Sequence, residues 1–161
     1  MSSKPHLTLV SDPQAYFHEL VIQALGKQHL STMPETEFYL VHLLNHFMSA
    51  DQLYARDENG AVKEEPLALM IKEAVESPVH QQIPLFRKVG DVSLYVAGFF
   101  QDSLNRKLVD VDYYIEMGGT AYHHVAACSD EEIFRVLYVE LAVKFGEFVE
   151  VFAVIGDHTV P

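Results

Sequence analysis

Apolar residues in this chain recur mainly three and four positions apart, the spacing of helices with one buried face. SDPQAYFHELVIQALGK places Phe17, Leu20, Val21, Ala24 and Leu25 on one side, with Asp12-Pro13 as a start signal and Gly26 as a stop. Thr32 and Glu35 have the spacing of a capping box, which opens a helix through ETEFYLVHLLNHFMSADQLY. Its core face is Leu40, Val41, Leu44, Phe47 and Met48, and RDENG beyond it is a turn. Pro66 suits the first turn of PLALMIKEAVE, which Ser77-Pro78 closes.

In the second half, Pro84 is expected to begin LFRKVGDVSLYVAGFFQDSL, whose stripe is Leu85, Val89, Val92, Val96, Phe99 and Phe100. Asp110 caps DVDYYIEMGGTAYHHV, and a second capping box, Ser129 with Glu132, precedes a long terminal helix, EIFRVLYVELAVKFGEFVEVFAVI. About six helices with short connections make an irregular all-α bundle. HLTLV forms a short extended N-terminal arm, and the tail after Gly156 is short and polar. Both HLTLV and VEVFAVI are rich in β-branched residues and would suit a strand pair, but the helical spacing of VEVFAVI favours helix.

ETEFYLVHLL together with GDVSLYVAGFFQDSLNRKLVDVDYYIEMGGTAY resembles a group of uncharacterised bacterial all-helical proteins, over roughly residues 35 to 122. The resemblance implies no activity and transfers no catalytic residue.

A chain of 161 residues fits one domain, residues 1–161, and buries an adequate core without disulfides or a structural metal. The single cysteine, Cys128, gives no sign of an oxidising compartment, and no signal peptide or membrane span is legible, so a soluble cytoplasmic protein is expected. With 23 acidic against 11 basic residues the formal charge is −12, a field that disfavours nucleic acid. Arg87-Lys88 and Arg106-Lys107 would form a local anion site if the fold joined them, although solvated helix ends account for them equally. Nine histidines keep metal binding in view.

The two adjacent glycines of DVDYYIEMGGTAYHHV each cost a helix about 1 kcal/mol relative to alanine, so something compensates. Val111, Tyr114, Gly118, Ala121 and Val125 share one face, while Asp112, Glu116 and His123 share the other with Gly119 between them. Gly118 is read as a close helix contact with the preceding long helix, which carries Gly90, Ala97 and Gly98, in antiparallel pairing. Asp112, Glu116 and His123 are the candidate metal ligands, with donors suited to zinc, manganese or iron if another helix completes the set. They lack the repeated Glu-x-x-His signature of helical di-metal sites, so an ordinary outer face is the competing reading.

His42 and His46 lie on one side of a helix opposite its core face, able to chelate an added ion but lacking the glutamate of a metalloprotease motif. Glu37 shares the core-facing sector, where the helix dipole or a buried carboxylate role explains it. Cys128 has no adjacent base, Ser93 and Ser103 have no nucleophile-elbow context, and glycines 90, 98, 118 and 119 match no phosphate loop.

The terminal helix has two apolar faces: Phe134, Leu137, Leu141, Phe145 and Phe148 on one, Val136, Val139 and Val143 on the other. The second face is the candidate interface, with a helix sandwiched between layers as the alternative. The sequence therefore points to a non-catalytic protein-protein interaction module, most simply a homo-oligomer. The alternative is a metal-dependent or small-ligand-binding bundle using the carboxylate and histidine stripe.

Overall fold

The computed structural model describes residues 12–50, 67–104 and 110–159. Seven helices are present among them: α1 (Pro13–Lys27), α2 (Pro34–Ala50), α3 (Leu67–Glu76), α4 (Val79–Phe99), α5 (Val111–Cys128), α6 (Glu132–Val143) and α7 (Phe145–Thr159), with a helical turn at Gln101–Leu104. No strand occurs among the described residues, and VEVFAVI is helical within α7. The architecture is the expected irregular all-α bundle. Among the described residues no helix is long and apolar enough to cross a membrane. The N-terminal arm HLTLV, the RDENG turn, Pro66 and the Arg106-Lys107 pair lie outside the described residues.

The apolar faces of α1 and α2 are close to those expected, with Val21, Leu40 and Leu44 fully enclosed, Leu20 and Met48 only half-buried, and Leu43 buried as well. Asp12 caps α1 by accepting from the Ala15 N–H at 3.2 Å. The glycine stop is corrected: Gly26 is still helical, and His29 takes the left-handed conformation with φ 54°. Leu30 N–H then donates to the Leu25 carbonyl at 3.0 Å and His29 N–H to the Gly26 carbonyl at 3.1 Å, a Schellman ending.

Both capping boxes are also corrected. At α2 the cap comes from α6: Glu140 Oε1 accepts from the Met33 N–H at 3.1 Å and from the hydroxyl of the buried Thr36. Glu140 Oε2 accepts from Lys144 Nζ at 2.9 Å, and the same ammonium donates to the Ser31 carbonyl at 2.6 Å. Ser129 belongs to the end of α5, where its hydroxyl donates to the Val125 carbonyl at 2.7 Å; the residue preceding α6 is Glu131.

Pro84 lies inside α4 rather than at its start, on the exposed side, and the helix begins five residues earlier at Val79. The core face of α4 is rotated from the expected stripe: Phe86, Val89, Gly90 and the whole run Ser93–Gly98 are buried, whereas Leu85, Val92, Phe99 and Phe100 are half-buried. This helix is the axis of the bundle and packs on α3, α5 and α7. Its contact with α5 is antiparallel, because Gly90 lies against Tyr122 while Ser93 lies against Gly118.

The terminal helix is two helices, broken at Lys144. The break resolves its two apolar faces. In α7, Phe145, Phe148, Val149, Val151, Phe152 and Ile155 are all buried, so this segment is sandwiched within the chain. In α6 only Leu137, Tyr138, Leu141 and Ala142 are buried. Phe134, expected in the core, is exposed, as are Val136, Val139 and Val143.

Candidate functional site

A charge in the apolar middle of α4 organises the most polar part of the interior. Asp91 lies between Gly90 and Val92, and its Oδ1 accepts hydrogen bonds from the phenols of Tyr39 on α2 and Tyr122 on α5, each at 2.6 Å. Among the described residues Oδ2 accepts none. Tyr138 of α6 completes an aromatic cluster, its ring edge-on to Tyr39 at 5.5 Å and tilted to Tyr122 at 5.8 Å between centroids. One carboxylate thus ties α4 to α2 and α5 through short hydrogen bonds to a charged-type acceptor, the strong kind.

Local helix geometry supplies the rest. Arg87 precedes Asp91 by one turn of α4, and Tyr39, His42, Leu43 and His46 recur along one side of α2. These residues, with Phe47, Asp91 and Tyr138, line a cavity of about 340 Å³. His42, His46 and Arg87 are exposed and form its rim, and Asp91 sits at its floor.

Burial pushes the Asp91 carboxyl above the usual aspartate range, against the pull of the two phenols, Arg87 and His46. It also pushes both phenols strongly up, Tyr39 and Tyr122 alike, with the Asp91 charge as the next cause, so both stay protonated donors. For Arg87 burial works against the charge, but Tyr138, Tyr39 and Asp91 outweigh it and hold the guanidinium charged. The arrangement can bind a donor group at its floor and an anionic group at its rim.

Two further hollows are less promising. One of about 480 Å³ between the starts of α1 and α2 contains the exposed Phe38 and the pair His18–Glu37, 3.3 Å apart. Glu37 is thus a half-buried partner of His18 rather than a buried carboxylate. Another of about 310 Å³ shares Arg87 and Tyr138 with the Asp91 cavity and reaches Asp130, Glu131 and Phe134.

The sequence-derived metal residues Asp112, Glu116 and His123 are all exposed on the outer side of α5. Among the described residues no group of three histidine, cysteine, aspartate or glutamate side chains is placed to hold an ion. Gly119, expected within the polar stripe, is instead buried, facing the Ala142 carbonyl and Phe145 at the α6–α7 junction. Cys128 does have a neighbouring imidazole: its Sγ lies 3.5 Å from His124 Nε2, which is 3.0 Å from Gln82 Oε1. His42 and His46 are exposed as expected, and their place on the rim beside Asp91 is new.

Sequence reasoning missed Tyr39, Asp91, Tyr122 and Tyr138 as one unit. The available signal was Asp91 itself, a lone carboxylate within GDVSLYVAGFF, where a charge needs a partner. No protein-family model, curated protein or solved structure matches the chain.

Proposed function

We propose that this chain is a non-catalytic small-molecule-binding protein of the cytoplasm and that its site is the Asp91 cavity. One observation carries the reading: a carboxylate enclosed by tyrosines still lines a solvent-reachable cavity and keeps one oxygen unpartnered among the described residues. Because Asp91 borders the cavity, a ligand donor can take the place of water on that oxygen. The volume lies at the small end of ligand sites, which span about 300–1,000 Å³.

The test is a thermal-shift screen of small polar molecules against the full chain. A ligand at a hundred times its dissociation constant adds about 2.7 kcal/mol, a rise of about 5–10 °C for a chain of this size. At least one such rise is expected, and it should disappear in Asp91→Asn. Failure of every compound would count against the reading.

The exposed apolar stripe of α6 supports a second reading, a protein-protein interface with homo-oligomerisation as its simplest form. Val136 is 42% exposed, Val139 40% and Val143 65%, with Ile133 and Phe134 beside them, an apolar surface that a partner would cover. The two readings occupy different surfaces of the bundle and do not compete. Retention of zinc, manganese or iron at Asp112, Glu116 and His123 is the remaining alternative, and elemental analysis of untagged protein decides it.

A further inference from the structure

Resting on the small-molecule reading above, we propose that the ligand is a small zwitterion, its ammonium seated on Asp91 and its carboxylate held at the rim by Arg87 with His42 and His46. The hydrogen-bond inventory of the floor sets the first half. Both phenol hydrogens are spent on Asp91 Oδ1, so Tyr39 and Tyr122 have no donor left to give. The acceptor left beside them is Asp91 Oδ2, and the Tyr138 hydroxyl lines the same cavity as a further polar group. An ammonium carries three donors and no acceptor and so suits a carboxylate oxygen without a partner, whereas a carboxylate or phosphate at the same place would meet the like charge of Asp91. Tyr39, Phe47 and Tyr138 supply aromatic surface to the same cavity wall.

Charge at the rim sets the second half. Arg87 brings a permanent positive charge and five N–H donors in the fork that suits a carboxylate. A ligand with only an ammonium would leave the forked donors of Arg87 without a carboxylate of their own, and a ligand with only an anion would meet Asp91. A molecule bearing both finds both partners. The cavity volume of about 340 Å³ falls within the range of small-ligand sites and leaves room for an amino-acid-sized molecule.

The test titrates the full chain with glycine, β-alanine, γ-aminobutyrate, δ-aminovalerate and the α-amino acids, each beside its amine-only and acid-only analogue. Isothermal calorimetry and tyrosine fluorescence are the readouts, the latter useful because the chain has eight tyrosines and no tryptophan. At least one zwitterion should bind, with both single-charge analogues weaker by about tenfold or more. Asp91→Asn should remove the preference for the amine and Arg87→Gln the preference for the carboxylate. If Asp91→Asn does not fold, Arg87→Gln at the exposed rim decides, because unchanged discrimination against the amine-only analogue there overturns the assignment. An acid-only analogue binding as tightly as its zwitterion, or no zwitterion binding at all, also overturns it. Asp91-dependent binding of some other polar molecule would then leave the cavity reading standing, whereas silence from every compound would remove both.

Discussion

At single residues, the glycines show how close packing overrides propensity. A methyl group on Gly118 would overlap the Phe145 ring and come within 2.8 Å of the Ser93 Cβ, and both neighbours are buried. Alanine there gains about 1 kcal/mol of helix propensity, but overpacking a tight contact costs about 1–3 kcal/mol, so Gly118→Ala should lower the urea midpoint. Gly119 is the internal control. Its nearest neighbours, the Ala142 carbonyl oxygen at 3.6 Å and Phe145 Cβ at 3.8 Å, are at ordinary van der Waals distance. Gly119→Ala should therefore be neutral or stabilising by up to about 1 kcal/mol. A higher midpoint for Gly118→Ala than for Gly119→Ala would contradict this account. The assignment of Gly118 to a helix contact was legible from its place in the apolar stripe. Its principal obstacle, Phe145, was not, because that residue follows a break in the terminal helix that the spacing of apolar residues does not announce.

Between elements, Glu140 shows what periodicity cannot convey. It lies in an acidic, outward-looking register of α6, yet it caps α2, which begins more than a hundred residues earlier. Burial works to raise its pKa, but the Thr36 hydroxyl, the Lys144 ammonium and the Met33 N–H together hold it below the usual glutamate value of 4.5. A carboxylate with a depressed folded pKa stabilises the protein above its unfolded pKa, and that contribution is lost as pH falls through the folded value. Stability should therefore decline below about pH 4.5, and Glu140→Gln should make that acid limb shallower in urea titrations at stepped pH. Truncation to alanine should cost about 1.5–3 kcal/mol at neutral pH, the range for hydrogen bonds to a charged group. The faces of α1 and α2 were legible in outline because each helix buries a single stripe, whereas α5 also buries Gly119 and Tyr122 beyond its expected stripe. The core of α4 and the split between α6 and α7 were not, because nearly all-round apolar segments carry no directional pattern. The site was illegible for a related reason: Tyr39, Asp91, Tyr122 and Tyr138 come from four helices, and each aromatic looks like an ordinary core residue on its own.

For the molecule as a whole, net charge and the apolar stripe of α6 act in opposite directions. Two copies meeting through Val136, Val139 and Val143 would remove apolar area from water, worth about 25 cal/mol per Å² before the costs of association. Each copy, however, carries a formal charge of −12, and like-charged proteins repel across the solvent between them. Salt separates the two effects. Raising ionic strength from about 0.01 M to about 0.1 M shortens the Debye length from about 30 Å to about 10 Å, which weakens the repulsion and leaves the apolar contact in place. Sedimentation analysis should accordingly show self-association that strengthens with salt. Replacing Val136, Val139 and Val143 together with glutamine keeps the net charge, so the triple variant should remain monomeric at both salt concentrations. Its melting temperature under monomeric conditions should stay close to that of the parent, since exposed substitutions usually change stability by no more than about 0.5 kcal/mol each. Association that weakens as salt rises, or that survives the triple substitution, would place any self-contact on charged groups elsewhere and free the α6 stripe for a different partner.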